Sequence, residues 1–303
     1  MFSHLPNSVL QMSMIFLSIV IEALPFVLLG CIISGALHVY LTPDRVRKIL
    51  PKNKFLSILI GSTMGIFFPS CECGIVPIVN QFVRKDVPAY TAFAFMLTAP
   101  IINPIVLFST FIAFGNSWKF ALLRALGSLI VAIIVGSWLA YFYKKPILTQ
   151  QAMQDLSCNV DHHHLEQTTK LPLKKQIGSL LDHSLDEFFD TGRYLIIGAL
   201  LSANMQTYLP TQWILTLGHT KILAILVMIL LAIILSLCSE ADAFIGSSLL
   251  SLFGQGPVVA FLVFGPMVDI KNLLMMKRYF NGKFIVSMVS LVAMIVFVYA
   301  WVV

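Results

Sequence analysis

Charge is what this 303-residue chain has least of: 11% of its residues are charged, while 58% are hydrophobic. A soluble domain carries roughly 25% charged and about 45–50% apolar residues. With a mean hydropathy of +0.89, the chain holds more apolar surface than one aqueous core can use, and a bilayer takes up the excess. Other absences narrow the reading. There is no HExxH pattern and no Gly-rich nucleotide loop, so neither intramembrane proteolysis nor ATP hydrolysis has a basis; no enzyme activity and no cofactor are expected. The N-terminus lacks a basic region and a small-residue cleavage site, so no removable signal peptide is expected. Five cysteines, four of them in apolar segments, do not make a secreted disulfide framework. The net charge of +6 does not point to nucleic acid, because the basic residues stand in short clusters between apolar runs, the pattern of cytoplasmic loops.

What is present is a series of eight apolar runs: 9–41, 55–83, 88–115, 118–143, 191–209, 222–253, 256–276 and 284–303. The stretch 144–190 differs, with Lys144, Lys145, Asp155, Glu166, Lys170, Lys174 and Lys175. It reads as a cytoplasmic linker between a first membrane unit, 1–143, and a second, 191–303. Near its end, Ile177, Leu180, Leu181, Leu185 and Phe188 recur at helical spacing, which predicts an amphipathic surface helix over Gln176–Phe189.

The two halves resemble each other at an offset of 168 residues. Glu22 falls on Asp190, Gly30 on Gly198, Ser34 on Ser202, Leu41 on Leu209 and Glu72 on Glu240. With a two-residue slip, Pro100 falls on Pro266 and Asn103 on Asp269. Eight spanning helices would divide Lys and Arg poorly between the two membrane faces. If 55–83 and 222–253 are instead re-entrant hairpins, six spanning helices remain. Seventeen of the 20 Lys and Arg residues then fall on one side, and only Lys119, Arg124 and Lys221 on the other. The halves then become inverted repeats whose hairpins enter from opposite faces. The fold class expected is thus an all-α, multi-pass cell-membrane protein of two homologous halves, with six spans plus two broken hairpins or, failing that, eight spans.

Chemistry concentrates at the two polar islands, PSCECG (69–74) and CSEADA (238–243). Pro and Gly break the helix there, and lipid cannot satisfy the freed backbone groups. Glu72, Glu240 and Asp242 are ionisable groups at membrane depth, which makes them candidate substrate ligands. Asn103 and Asp269 could complete the polar ring. Cys71 and Cys73 alternate so that both sulfurs face one way, a soft pair suited to thiophilic species; Cys238 opens the other island. Blander readings stand beside these. Glu72 could be a hairpin tip that merely reaches water. Gly246, Ser247 and Ser248 suit helix packing, Cys31 suits a packing position, and Glu22 and Asp190 suit the membrane boundary. The cluster Cys158, Asp161, His162, His163 and His164 lacks closed tetrahedral spacing and reads as a solvated loop.

The stretch PSCECGIVPIV (69–79), followed by TAPIINP (98–104) and a weaker copy in CSEADAF and GPMVDIKN, resembles the ArsP-type family of predicted permeases. The resemblance covers about residues 10–303. It implies a permease that exports a soft, thiol-reactive cargo such as a trivalent organoarsenical, with Cys71 and Cys73 as candidate ligands. Glu72, Glu240, Asp242, Asn103 and Asp269 match the polar positions of its repeated motif. The second half carries CSE in place of CxC, so a symmetric two-thiol site is not expected. Protonation of Glu72 or Glu240 could couple release to a proton gradient. Two alternatives stay open: a permease for a divalent metal or small organic anion, and a membrane thiol oxidoreductase, against which CxC spacing argues. The partners expected are a small-molecule or metalloid substrate, lipid, and a membrane partner subunit or second copy.

Overall fold

A computed structural model describes residues 7–40, 51, 53–68, 71–143, 146–149, 173–208 and 220–303. Among these the chain is helical apart from short connections and one bridge between Leu148 and Phe280. The first half contains α1 (Asn7–Tyr40), α2 (Lys54–Met64, extended by a 3-10 turn over Gly65–Phe67), α3 (Glu72–Arg84), α4 (Ala89–Ile102), α5 (Pro104–Ala113) and α6 (Trp118–Tyr141). The second contains α7 (Leu173–Tyr208), α8 (Lys221–Leu235), α9 (Ser239–Phe253), α10 (Gln255–Phe264), α11 (Ile270–Tyr279) and α12 (Gly282–Val302).

Local sequence explains where the helices start and stop. The Asn103 side chain accepts from the Ile105 N–H and Pro104 opens α5, so the run 88–115 is broken in its middle. Asp269 accepts from the Asn272 N–H and starts α11, which breaks the run 256–276 in the same way. Ser236 ends α8 in the left-handed region, with φ of 46°. The apolar runs 88–115 and 256–276 are thus made of two helices each, with the break at Asn103 or Asp269. Among the described residues, four stretches are long and apolar enough to cross a bilayer: Ser8–Leu37, Ala89–Ala113, Trp118–Tyr141 and Gly282–Val302. The predicted surface helix Gln176–Phe189 is not separate; it is the first part of α7, which runs 36 residues without interruption.

Contacts fix the direction of each helix. Phe82 of α3 and Phe95 of α4 stack edge to face at 5.6 Å, so α4 folds back along α3. Ser57 of α2 bonds Thr91 of α4, while Gly65, further along, abuts Ala99, so α2 runs parallel to α4. The chain therefore reverses between α2 and α3, at the first island. In the second half Gly246 of α9 abuts Leu262 of α10 and Gly265 abuts Asp242, which makes α9 and α10 antiparallel. Gly256 near the start of α10 meets Lys221 at the start of α8, so those two run parallel and the chain reverses again at the second island.

The sense of the two reversals is opposite. Gly136, late in α6, lies against the Tyr90 carbonyl early in α4, so these helices are antiparallel. Lys119 reaches Gln255, and Arg124 reaches the Leu262 carbonyl, so α6 and α10 are parallel. Hence α4 and α10 point in opposite directions, and so do α2 and α8. One end of the molecule gathers Lys54, Lys85, Lys277, Arg278 and Lys283, whereas Lys119 and Lys221 mark the other. The outer surface is apolar: Met14, Leu17 and Ile21 on α1 and Leu122, Leu126 and Ile130 on α6 are exposed, a face suited to lipid rather than water.

Close packing at the centre depends on Gly30 of α1. A Cβ there would lie 2.3 Å from the Gly74 carbonyl oxygen, backbone that cannot swing away. Gly30→Ala is therefore expected to cost about 1–3 kcal/mol by overpacking. A fall in the melting temperature of the purified protein in detergent would show it, and an unchanged melt would mean α1 and α3 can part freely.

Candidate substrate site

Each island supplies the start of a half-length helix. Cys71 precedes α3 and Cys238 precedes α9 as their N-caps, and Glu72, Glu240 and Asp242 stand in the first turns, where carboxylates favour the positive end of the helix dipole. Glu72 is 1% exposed and Asp242 2%, whereas Glu240 is only partly buried.

The centre of the site is a charged junction that joins the first island to the connection just before the second. The Lys271 Nζ lies 3.8 Å from Glu72 Oε1 and 3.5 Å from Asp269 Oδ2. Ser236, two residues before the second island, donates to the same Asp269 oxygen at 2.9 Å, while the other Asp269 oxygen caps α11. All four side chains are buried. Neither Glu72 oxygen accepts a hydrogen bond, so its hold on Lys271 is electrostatic and loose. Removing a charged group from water costs several kcal/mol, and only an opposite charge at close range offsets it.

A second cation faces the other island. Arg124 is fully buried in α6, donating through Nε to the Leu262 carbonyl at 3.0 Å and through Nη1 to Thr110 at 2.9 Å. Its charge acts on Asp242. Arg124 Nη2, Asp242 Oδ2 and Ser239 Oγ have no hydrogen-bond partner, so polar capacity is left over on this side. Asn103 is tied to backbone on both ends of its amide: it accepts from the Ile105 N–H at 2.9 Å, capping α5, and donates to the Phe68 carbonyl at 3.2 Å. These bonds fix the start of α5 against the end of the 3-10 turn that leads into the first island.

Cys71, Cys73 and Cys238 are buried free thiols. The Cys71 and Cys73 thiols are within hydrogen-bonding reach of each other. Cys238, from the other island, shares the electrostatic surroundings of Glu72 and Lys271. Among the described residues no group of three His, Cys, Asp or Glu side chains is arranged to hold a metal ion. The cluster at Cys158 to His164 lies outside the described residues. A cavity of about 310 Å³ borders the second island, with Glu22, Gln206, Ser236, Cys238 and Lys271 as its polar lining and Met14 and Ile19 among the apolar.

The structure thus brings Glu72, Asp269, Asp242 and the three cysteines to one region and gives Asn103 a structural role. It also adds Lys271, Arg124 and Ser236. Lys271 and Arg124 are corrections, since the charge count treats both as loop residues on opposite faces. Arg124 was signalled by its place six residues inside an apolar run, where an ionisable residue marks function.

Comparison with known proteins agrees with this architecture. The ArsP-type family, described as predicted permeases, matches residues 8–303. The chain belongs to that family. A Streptococcus mutans protein named as a subunit of a two-component membrane permease complex is 56% identical over 303 residues, covering 100% of this chain and 98% of its own length. The Bacillus subtilis protein YcgR is 47% identical over 290 residues, covering 96% of each chain. The Escherichia coli protein YraQ is 24% identical over 126 residues, 42% of this chain and 36% of its own. No solved structure matches significantly. The chain is therefore a membrane permease by family, with several apolar helices to hold it in the bilayer.

Lys271→Met would strand two buried carboxylates, at an expected cost of about 3–5 kcal/mol. The double variant Lys271→Met, Glu72→Gln should lose less than the two single changes summed. Thermal melts of the four proteins in detergent check the coupling, and strict additivity would dissolve the junction.

Proposed function

We propose that the chain is a secondary-type exporter of a soft, thiol-reactive solute such as a trivalent organoarsenical. Its halves, 1–143 and 191–303, are inverted repeats joined by a cytoplasmic linker, 144–190. Each half contributes a re-entrant hairpin, α2–α3 or α8–α9, that turns near the membrane midplane. The opposed directions of α2 and α8 support this reading. So does the length of the hairpin helices: 11 to 15 residues span roughly 16–22 Å at 1.5 Å per residue, short of a hydrocarbon core of about 30 Å. By the positive-inside rule the basic end faces the cytosol.

The observation that carries the cargo assignment is the convergence of thiols from both hairpins on a charged junction that is nearly balanced. Glu72, Asp269 and Asp242 are set against Lys271 and Arg124. A divalent cation would meet two fixed positive charges, and an organic anion would meet three carboxylates. A neutral, polarizable species escapes both penalties and bonds directly to sulfur. Exchange of an arsenic-bound cytosolic thiol for the Cys71 or Cys73 thiol captures it with no net change in charge or oxidation state: one As–S bond forms, one breaks, and the proton passes to the departing thiol. The divalent metal and thiol oxidoreductase alternatives are less favoured, the first by Lys271 and Arg124 and the second by the CxC spacing. The printed name of the Streptococcus mutans relative also supports a membrane partner for this chain.

Everted membrane vesicles test the cargo. The protein should accumulate trivalent methylarsenical, and Cys71→Ser, Cys73→Ser should lower the rate at least about tenfold, the scale of losing a direct ligand. Accumulation that survives loss of both thiols would overturn the thiol-capture step. No accumulation by either protein would overturn the arsenical assignment while leaving the family membership intact. A Glu72→Gln, Glu240→Gln variant with unchanged export would remove proton coupling through those residues.

A further inference from the structure

The long helices α1 and α7 lie against each other as an antiparallel pair, and the pair is not seated symmetrically. Toward the basic end it is fastened. Ser34 of α1 reaches the Pro77 carbonyl of α3 at 3.5 Å, and Glu187 of α7 is within hydrogen-bonding range of Ser34 and Asn80. Asp190 accepts from Arg278 Nε at 3.0 Å, and the Thr191 and Tyr279 hydroxyls are 2.9 Å apart. Along this side α1 packs on α3 and α7 packs on α11, which themselves touch.

Toward the opposite end the arrangement is different. The equivalents of α3 and α11 in the other half are α9 and α5, which also pack together, yet neither α1 nor α7 packs along them. Among the described residues the pair is held here mainly by the end of α8, where Gln206 and Ser202 reach the Leu235 carbonyl, and by Glu22, which lies within hydrogen-bonding range of Cys238, the N-cap of α9. Beside that contact lies the 310 Å³ cavity, bordered by Ser18 and Glu22 of α1 and by Gln206 of α7. The contrast is sharpest at Glu22 and Asp190, which the 168-residue offset makes counterparts. Asp190 is tied to Arg278 and Arg193, while Glu22 is exposed at the cavity.

The other pairings do recur. The contacts of α2 with α4, α3 with α4, α4 with α6 and α2 with α6 have counterparts in α8 with α10, α9 with α10, α10 with α12 and α8 with α12. These main scaffold pairings thus recur, and the largest difference between the halves is where α1 and α7 sit. A repeat whose scaffold is symmetric and whose one mobile pair is not has a second state available, in which the pair occupies the equivalent seat.

We propose that α1 and α7 are the moving gate of the permease, rocking as a unit between two seats on a fixed scaffold of the other helices. This rests on the inverted-repeat permease reading above. The structure is the state open toward the face away from the basic end. In the other state α1 lies on α5 and α7 on α9, the cavity closes, and the parting of α1 from α3 and of α7 from α11 opens the Glu72–Lys271 junction to the basic side. Asp190–Arg278 and Thr191–Tyr279 latch the present state. Because the latch acts only in one state, weakening it shifts the population toward the other.

Two thiol reporters read the two faces, one introduced as Ser18→Cys in the cavity and the other the native Cys31, which is fully buried beside Glu187. Intact cells and everted vesicles are treated with a membrane-impermeant maleimide, and labelled positions are identified by mass spectrometry. The Ser18→Cys site should label from the face away from the basic end, and Cys31 hardly from either. Asp190→Ala should raise Cys31 labelling from the basic face about three- to fivefold, the scale of losing one partly exposed ion pair. The charge swap Asp190→Arg, Arg278→Asp should restore it, and Tyr279→Phe gives a milder rise should Asp190→Ala fail to accumulate. Cys31 labelling unchanged in both latch variants, or Ser18→Cys labelled only from the basic face, overturns the gate. These rates need no cargo, so absent arsenical transport alongside the expected labelling would reject the cargo and keep the gate.

Discussion

Charges and broken backbone buried within an apolar molecule must find their partners inside the protein, because lipid supplies none. In this fold that constraint is met at one junction, where Lys271 sits between Glu72 and Asp269 and Ser236 joins the same aspartate. Four helix ends depend on it. Glu72 begins α3, Asp269 begins α11, Ser236 closes α8, and Cys238 begins α9 two residues later. The halves of the molecule are tied together by charge where the helices of each are broken. A membrane-buried lysine is tolerated there because two carboxylates share it, and the carboxylates are tolerated because of the lysine.

The islands were legible in the sequence because Pro, Gly and acidic residues interrupt otherwise continuous apolar runs. Glu72, Asp242, Asp269 and the cysteines were accessible by that logic. The expectation of re-entrant turns rests on charge alone, since only they put the basic residues mainly on one side. Lys271 was not legible as a site residue: positive charges are counted toward loops, and GPMVDIKN looks like the end of a span. Arg124 was miscounted for the same reason, although its place inside an apolar run was a usable warning. Asn103 was legible as polar but not as a backbone cap, because capping depends on the turn it enters. The break of 256–276 was hidden too, since Asp269 interrupts an apolar stretch without a neighbouring Pro-Gly pair to mark the stop. The unbroken course of α7 was obscured by a composition change at residue 190 that alters solvation without interrupting helical periodicity.

Cargo chemistry follows from the charge balance more than from any one ligand. Three buried carboxylates and two buried cations leave little net field, so the proposed pathway cannot select strongly by charge. Selection then falls to shape and to bonding chemistry, and the groups with bonding chemistry to spare are Cys71, Cys73 and Cys238. The unpaired atoms of Ser239, Asp242 and Arg124 offer polar contacts but no strong preference for one sign. Thiol exchange supplies specificity without requiring a charged ion to be stripped of water at the midplane, the step that makes ion permeation costly.

The asymmetry of α1 and α7 gives this balance a mechanical consequence in the proposed gate. If the junction were held by contacts to α1 or α7, moving the pair would break it in each cycle at a cost of several kcal/mol. Its members instead come from α3, α11 and the end of α8, all outside the pair. The pair does touch the junction, since Gly198 of α7 packs on the Lys271 backbone, but among the described residues it holds it by packing and by hydroxyl, amide and surface ion-pair contacts such as Ser34–Pro77 and Asp190–Arg278, which are individually weak. A fixed, strongly coupled centre beside a weakly latched pair lets the accessible face change while the buried charges keep their partners. Glu22 and Asp190, equivalent in sequence, both lie on the part that moves, but among the described residues only Asp190 pairs with a scaffold cation, Arg278 of α11; the helix equivalent to α11, α5, carries no charged residue.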